Sequence, residues 1–158
     1  MLDPSIFSEL DVLTFHRGEG ELPFFALGDG SSIALVHVDL ASNLWVARQK
    51  FEPGTQLLRH RHTGPVHVFT TAGAWKYLEY DEVNRTGSYL FEPANSTHTF
   101  KTLDENTGPT EIWFMITGSN LNLDDDGNVV SVYDAESISR WYAKKCADAG
   151  VEPNVIVS

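Results

Sequence analysis

Cysteine, basic residues and long apolar runs are all scarce in this sequence. The single cysteine, Cys146, excludes an internal disulfide. Only 11 Lys and Arg residues stand against 22 Asp and Glu residues, and the resulting net charge of -11 at pH 7 repels phosphate backbones and anionic lipid. We therefore expect neither a nucleic acid nor a membrane as a partner.

Features of export or membrane insertion are also lacking. No segment reaches the roughly 18 consecutive apolar residues of a membrane span. The first residues, MLDPSIFSELDVL, carry acidic side chains and a proline where a signal peptide needs a basic start followed by an apolar run. These observations predict a cytoplasmic protein.

Short β-rich runs separated by turn residues dominate the middle of the chain. The first of these runs are LPFFALG, SSIALVHVDL and NLWVARQKFEPG. Their spacing predicts an antiparallel barrel or sandwich over residues 23–133, preceded by an arm over 1–22. Further along, TEIWFMITG and NVVSVYD predict strands, and LNLDDDGN predicts the connection between them, with a solvated hairpin at its acidic triplet. A chain of 158 residues predicts a single domain.

Near the C-terminus the apolar period changes to that of a helix. Asp134 is a capping residue and Gly150 a terminating one, so the pattern predicts a helix over residues 135–149. Its apolar face, expected to pack on the outside of the barrel, consists of Ile138, Trp141, Tyr142 and Cys146.

Three histidines have the spacing of metal ligands. His60 and His62 are two residues apart, and alternate side chains of a β-strand share one face. His98 follows a strand-like run and a turn at Pro93 that can bring its ring back towards the other two. Neutral imidazoles suit iron, zinc, nickel or copper. The pattern predicts one divalent metal bound by His60, His62 and His98.

These residues carry a resemblance to the cupin superfamily, whose members have an RmlC-like fold. The first cupin motif is matched at Gly54, His60, His62 and Gly73, and the second at Gly87, Pro93 and His98. The resemblance implies an all-β fold, the cupin double-stranded β-helix or jelly-roll barrel, here with a C-terminal α-helix. The whole of residues 1–158 would form one cupin domain.

The chain departs from the cupin motifs at three positions. The glutamate of the first motif falls at Val66 or His67, depending on where a one-residue length difference is placed. Asn95 and Thr102 replace the second glycine and the final asparagine of the second motif. We therefore expect a site of three histidines rather than three histidines and a glutamate.

Within the cupins, two segments resemble particular dioxygenases. The similarity is to 2,4'-dihydroxyacetophenone dioxygenase and, more loosely, to acetylacetone-cleaving dioxygenase. The two segments that carry it are RHRHTGPVHVFTTAGAWKYLEYD and, after it, GSYLFEPANSTHT. The resemblance implies a non-haem Fe(II) enzyme that uses O2 to cleave a carbon–carbon bond of a diketone or an aryl hydroxyketone. Zinc and nickel are the alternative metals. The alternative functions are a non-catalytic metal-binding cupin, such as a zinc sensor or ligand-binding module, and a non-redox isomerase or hydrolase.

The strand WKYLEYD offers a candidate catalytic residue. Trp75, Tyr77 and Glu79 alternate on one face, and the other face carries Lys76, which is costly to bury unpaired. We therefore expect the first three to point inward, with Glu79 taking the substrate proton or binding the metal weakly. The alternative is a glutamate at the barrel mouth paired with an arginine.

The remaining candidates concern the pocket and the assembly. The expected pocket residues are His67, Trp75, Tyr77 and Phe100, and His67 is alternatively a fourth metal ligand. Glu92, just before a proline, is expected at the surface as a strand-end residue. Because small barrels leave sheet edges and the apolar N-terminal arm needs a surface to cover, the sequence also predicts a homodimer.

Overall fold

The computed structural model describes residues 14–158, so the first part of the predicted N-terminal arm, residues 1–13, lies outside the described residues. The first seven strands are β1 (Phe25–Ala26), β2 (Ser31–Asp39), β3 (Leu44–Phe51), β4 (His60–His62), β5 (Val66–Ala72), β6 (Ala74–Tyr77) and β7 (Asn84–Arg85). The others are β8 (Tyr89–Glu92), β9 (Thr97–His98), β10 (Phe100–Thr102), β11 (Thr110–Thr117), β12 (Asn120–Leu123), β13 (Val129–Tyr133) and β14 (Ile156–Val157).

The strands form a jelly-roll-like sandwich. A seven-stranded sheet has the order β1-β2-β3-β11-β5-β8, with β14 parallel to β2. Two smaller sheets have the orders β10-β6-β7 and β13-β12-β4-β9. The large sheet alternates buried and less buried residues along β11, as expected for a sheet with one face on the core. The predicted all-β cupin fold is confirmed.

The predicted C-terminal helix, α1, spans Ala135–Ala149. The Asp134 side chain accepts a hydrogen bond from the Ser137 amide, and Gly150 ends the helix in the left-handed conformation at φ 68°. The buried face differs slightly from the predicted one, because Trp141 is only partly buried; it consists of Ala135, Ile138, Tyr142 and Cys146. In residues 14–158, no helix has both the length and the apolar character to cross a membrane.

The segment LNLDDDGN contains a strand where the sequence predicts only a connection. Asn120–Leu123 is strand β12, which pairs with β13 on one side and with β4 on the other. Asparagine has low β-propensity, so the segment has the composition of a loop, and pairing with two neighbours overrides that preference. Only the acidic part forms the connection, where the Gly127 amide donates to the Asp124 carbonyl at 3.0 Å. The expected hairpin at the acidic triplet is confirmed.

A tight contact after β4 fixes the strand that carries two of the histidines. The Thr63 amide donates to the Ser119 carbonyl at 2.9 Å, and the Ser119 amide donates to the Thr63 hydroxyl at 2.8 Å. A Cβ atom on the next residue, Gly64, would overlap the carbonyl oxygen of Thr117 at the end of β11. Glycine is therefore required there by the close approach of two backbones.

We expect Gly64→Ala to lower the free energy of unfolding by about 1–3 kcal/mol, because the backbone carbonyl of Thr117 must move to admit the methyl group. Gly108→Ala is the matched control, since a Cβ atom there meets nothing within 4 Å. Urea unfolding followed by tryptophan fluorescence measures both. Equal midpoints for the two variants would contradict this account of the turn.

Candidate metal centre

The three predicted metal ligands come from two paired strands. His60 and His62 are buried on one face of β4, with Arg61 exposed between them. His98 lies on β9 and is the register partner of His60. The spacing of two residues and the cross-strand pairing bring all three imidazoles to the same place.

The turn between β8 and β9 returns His98 to β4. Asn95, which replaces the second glycine of the motif, adopts φ 67°, a left-handed conformation that asparagine tolerates. Its amide donates to the His62 carbonyl at 2.7 Å, and the His62 amide donates to the Ser96 carbonyl at 3.2 Å. The turn is therefore bonded directly to the strand that carries the other two histidines.

The geometry of the three rings fits a single ion. Each ring offers one nitrogen such that these atoms lie within 4.8 Å of one another, and exposure is 7%, 5% and 1% for His60, His62 and His98. Nδ1 of His60 is 2.9 Å from the carbonyl oxygen of Leu58. A hydrogen bond there places the proton on Nδ1 and leaves Nε2 free to bind a metal.

A fourth group, Glu92, lies at the centre although it was expected at the surface. It is 3% exposed, and its Oε2 is 3.4 Å from Nε2 of His62 and 3.3 Å from Nε2 of His98. The expectation is wrong because β8 alternates Tyr89 and Phe91 outward, which turns Glu92 inward. The predicted site of three histidines therefore has a carboxylate beside it.

The position of Glu92 explains the departure from the first motif. Glu92 is the register partner of Val66, one of the two positions at which the motif has its glutamate. The carboxylate thus comes from the neighbouring strand. The sequence could have indicated this position of Glu92 through the alternation Tyr89-Leu90-Phe91-Glu92. Tyr89 and Phe91 share one face of the strand, so Glu92 lies on the opposite face.

Several polar atoms of this cluster lack partners in a way that fits a cation. Nδ1 of His62, Nε2 of His98 and Oε2 of Glu92 are buried without a hydrogen-bond partner among the described residues. The contacts of Oε2 with the two Nε2 atoms have ion-pair distances but not hydrogen-bond geometry. Buried polar groups are rarely left unpaired, and a divalent metal held by the three rings would bind Nε2 of His98 and balance the charge of the Glu92 carboxylate.

The protonation states also suit a metal. Burial lowers the pKa of His60 to about 4 and that of His62 to about 3, so both rings are neutral at neutral pH. Burial by itself raises the pKa of Glu92, but contacts with His98, His62 and Tyr77 outweigh it and leave the pKa below its ordinary value. The centre therefore combines the neutral imidazoles of His60 and His62 with an ionised carboxylate.

Tyr77 holds two members of the centre in place. Its ring stacks on His98 with centroids 3.7 Å apart and an interplanar angle of 17°, and its hydroxyl donates to Oε1 of Glu92. Burial, together with the charge of Glu92, raises the pKa of Tyr77 well above 10, so the hydroxyl keeps its proton. Tyr77 consequently fixes the carboxylate with Oε2 directed towards the histidines.

An internal pocket of about 640 Å³ reaches the centre. His60, His62 and Tyr77 form part of its wall. Its apolar lining includes Leu27, Ile33, Trp45, Leu57, Phe100, Phe114, Ile116 and Ile138, and its polar lining includes Gln49, Gln56, Asn120, Asn122 and Ser131. Of the predicted pocket residues, Tyr77 and Phe100 line this space.

Glu79 does not lie at the centre. Strand β6 ends at Tyr77, and the Tyr80 amide donates to the Tyr77 carbonyl at 3.2 Å, so the alternation stops before Glu79. The exposed Glu79 carboxylate accepts hydrogen bonds from the Thr99 amide at 2.8 Å and the Thr99 hydroxyl at 2.9 Å. The expected inward orientation is wrong, and its partner is a threonine rather than an arginine.

Two predicted pocket residues lie elsewhere. His67 is exposed on the outer side of β5, where Nδ1 is 2.8 Å from the hydroxyl of Tyr89. It neither lines the pocket nor reaches the metal centre. Trp75 is fully buried, stacks on Phe100 and donates from Nε1 to the Thr70 hydroxyl at 2.8 Å, so it packs in the core behind the pocket wall.

Known proteins share this fold. The family of ChrR cupin-like domains matches residues 16–120. No curated protein sequence matches. A solved protein of unknown function with a cupin-like fold from Ralstonia eutropha JMP134 is 36% identical over 82% of this chain and 80% of that chain, with a TM-score of 0.76.

Two further solved structures show the fold at lower identity. An RmlC-like cupin protein from the same organism is 24% identical, covers 92% of this chain and 95% of that chain, and has a TM-score of 0.87. An acetylacetone dioxygenase from Acinetobacter johnsonii is 18% identical over 81% of this chain and 89% of that chain, with a TM-score of 0.69. At these identities the likeness concerns the fold alone.

We expect His98→Ala to lower the affinity for a divalent metal at least about 100-fold, because the loss of an outer partner of a metal ligand already costs 10–100-fold. His67→Ala is the control, since that ring lies outside the barrel. Metal content after dialysis against a metal buffer, measured by plasma emission spectroscopy, distinguishes them. Full stoichiometry and affinity in His98→Ala would reject the site.

The metal-free protein should lose stability as the pH falls. The pKa values of His60 and His62 are about 4 and 3 in the folded state against 6.5 for a free imidazole, so the unfolded chain binds protons first. Stability is therefore complete above pH 6.5 and decreases as the pH falls to about 4, by about 3 kcal/mol for each of the two histidines.

Denaturant unfolding in the presence of a chelator, at pH values between 7.5 and 4, tests this dependence. His62→Gln should flatten the slope between pH 6.5 and 4, and His67→Gln should keep it. A wild-type free energy of unfolding that stays constant over that range would contradict the assigned pKa values.

Proposed function

This chain belongs to the family of ChrR cupin-like domains, and from that premise we propose that it is a metal-dependent dioxygenase, using Fe(II), that cleaves a carbon–carbon bond of a diketone or an aryl hydroxyketone. O2 is the second substrate, and both of its atoms end in the products, two carboxylic acids or an acid and an aldehyde. The sequence resemblance around RHRHTG and WKYLEYD supports this substrate class. An acetylacetone dioxygenase with the same fold supports it further.

The observation that carries the proposal is a cluster of three buried histidines beside an unpartnered carboxylate oxygen of Glu92, with His60 and His62 of that cluster lining a large pocket. His60, His62 and His98 would hold the metal. When bound there, Fe(II) supplies a Lewis acid for an anionic chelating substrate and electrons for the reduction of O2. A structural metal site is closed by protein ligands, whereas a site that opens on a pocket of about 640 Å³ leaves room for a substrate.

Glu92 is the group placed to accept a substrate proton. Its pKa lies below the ordinary value, so the carboxylate is ionised, and Oε2 has no hydrogen-bond partner among residues 14–158. A ketone that loses its α-proton to Oε2 becomes an enolate, the anionic form that binds a divalent metal best. Tyr77 keeps the other carboxylate oxygen occupied and so leaves Oε2 for this role.

The pocket walls suit a ketone with an apolar body. Trp45 and Phe114, both buried, and the partly buried Leu57 line the space together with the centre. Burying an aromatic or aliphatic group against such walls removes apolar surface from water and fixes the ligand before reaction.

The homodimer stays a prediction, and an exposed apolar face supports it. Phe69, Tyr89 and Phe91 on the outer side of β5 and β8 are 43%, 53% and 51% exposed. A contiguous exposed aromatic group of this kind is typical of an interaction surface.

We expect the protein, reconstituted anaerobically with Fe(II), to consume O2 with a diketone or an aryl hydroxyketone in an oxygen-electrode assay. Glu92→Gln should lower turnover about 100-fold or more, the usual contribution of a general base, while metal remains bound. Glu79→Gln is the matched control and should keep wild-type turnover, because its carboxylate lies at the surface.

Two outcomes would contradict the proposal. If no chelating ketone causes O2 uptake while zinc binds far more tightly than iron, the protein is a metal-binding module. If turnover proceeds without O2 consumption and with zinc, the reaction is a non-redox isomerisation or hydrolysis.

A further inference from the structure

Two asparagines lie beside the metal ligands on the inward face of the neighbouring strand. Strand β12 pairs with β4 so that Asn120 is opposite His62 and Asn122 is opposite His60. Side chains directly opposite in an antiparallel pair have Cβ atoms about 4.5–5.5 Å apart. Both amides also line the pocket. The pocket wall therefore presents two imidazoles and two amides in neighbouring rows.

A chain of hydrogen bonds fixes the orientation of these amides. Nδ2 of Asn122 donates to the Ser131 hydroxyl on β13 at 2.9 Å. Nδ2 of Asn120 donates to Oδ1 of Asn122 at 3.3 Å. The chain runs from β13 across β12 and ends at Asn120, so the last amide is held by its nitrogen and offers its oxygen.

That terminal oxygen has no partner. Oδ1 of Asn120 is buried, and within the part of the chain that the structure describes nothing donates to it. An unsatisfied buried acceptor destabilises the folded protein, and asparagine is also a poor strand residue. Valine or isoleucine would suit the same position of a strand better. Two asparagines at this place are therefore better explained by a ligand than by folding.

The length of the side chain determines which part of a ligand it meets. His60 has Nδ1 bonded to Leu58, so its metal-binding nitrogen is Nε2 at the far end of the ring. An asparagine oxygen is closer to its own backbone than Nε2 is to the backbone of histidine. Because Asn120 is the register partner of His62, we expect Oδ1 of this shorter side chain to end short of the metal position. It meets a ligand group that is not bound to the metal.

We infer that Asn120 is a specificity-determining residue that binds a hydroxyl group on the part of the substrate directed away from the metal. A hydroxyl donates to an amide oxygen and also accepts from an amide nitrogen, so it matches the end of this hydrogen-bond chain. Asn122 and Ser131 are positioning residues that act through Asn120. The inference rests on the proposed function for the ketone nature of the ligand, and it selects hydroxyl-bearing ketones over purely apolar ones.

Binding to zinc-loaded protein tests the inference without any turnover. The probes are 4-hydroxyacetophenone and its near-isosteric analogue 4-methylacetophenone, and isothermal titration calorimetry gives the two dissociation constants. We expect wild-type protein to bind the hydroxylated ketone about tenfold or more tightly than the methyl analogue, since one hydrogen bond to an otherwise unpaired buried acceptor accounts for that ratio.

The variants separate a hydrogen bond from a change of shape. Asn120→Leu, which has nearly the same volume, should abolish the preference by weakening only the hydroxylated ketone. Asn120→Thr, which restores a polar hydroxyl, should retain part of the preference. Ser131→Ala, which leaves Asn120 itself intact, should reduce the preference a few-fold, because the Asn122 amide loses its hydrogen-bond partner and no longer fixes Asn120. The Ser131→Ala variant therefore tests the same hydrogen bond if Asn120→Leu does not fold.

The binding measurements can overturn the hydroxyl site and the dioxygenase activity separately. Absence of a preference in the wild type, an unchanged preference in Asn120→Leu and Ser131→Ala, or an equal loss of both ketones in Asn120→Leu would overturn the inference. Failure of the Fe(II) protein to consume O2, with the binding preference present and lost on Asn120→Leu, would reject the dioxygenase activity and leave the hydroxyl site standing.

Discussion

The pairing of β4 on both of its edges is the constraint on which the centre depends. On one edge β9 places His98 opposite His60, and on the other edge β12 places Asn120 opposite His62. A shift of one residue in either ladder would turn the inward side chains to the opposite face, because side chains alternate with period two. The bonds from Thr63 to Ser119 and the contact at Gly64 fix this register from the end of the strand.

Electrostatics connects this geometry to metal binding. The centre holds an ionised carboxylate, Glu92, beside the neutral rings of His60 and His62, and burial of a negative charge without a counter-charge is costly. Tyr77 reduces the cost with one hydrogen bond and a stacking contact to His98. The second carboxylate oxygen lies within 3.4 Å of two imidazole nitrogens but has no hydrogen-bond partner in the described residues. A divalent cation would balance its charge, so the arrangement has the composition of a metal site rather than of a core.

The pocket leaves one side of the centre open to a ligand. The inward residues of the large sheet and of α1 supply apolar walls, while β4, β12 and β13 supply the polar row. These two surfaces suit the ketone that we propose as the substrate. Apolar walls bind the body of the ligand, and a few polar groups in fixed positions determine its orientation. Ser131 on the outermost strand of the small sheet takes part through the asparagine chain, so even that edge strand contributes to the site.

The amino-acid sequence by itself determined the features that depend on local period and on single residues. The spacing of His60 and His62 fixes a common face on any strand, Asp134 and Gly150 fix the ends of the helix, and the motif residues around His98 indicate the fold. Three site assignments needed the tertiary structure. The Glu79 side chain does not point inward, because β6 ends two residues earlier, at Tyr77. The expectation for Glu92 failed because the side that it faces is set by the pairing of β8 with β5.

The strand containing Asn120 was decided in the same way by its neighbours. Its composition is that of a loop, and only the ladders with β4 and β13 make it a strand. The physical reason is common to these cases. Alternation along a strand follows from the covalent geometry of the chain and can be predicted from residue spacing. The residue at which alternation stops, and the strand that lies opposite, depend on hydrogen bonds between segments far apart in sequence, and those bonds exist only in the folded protein.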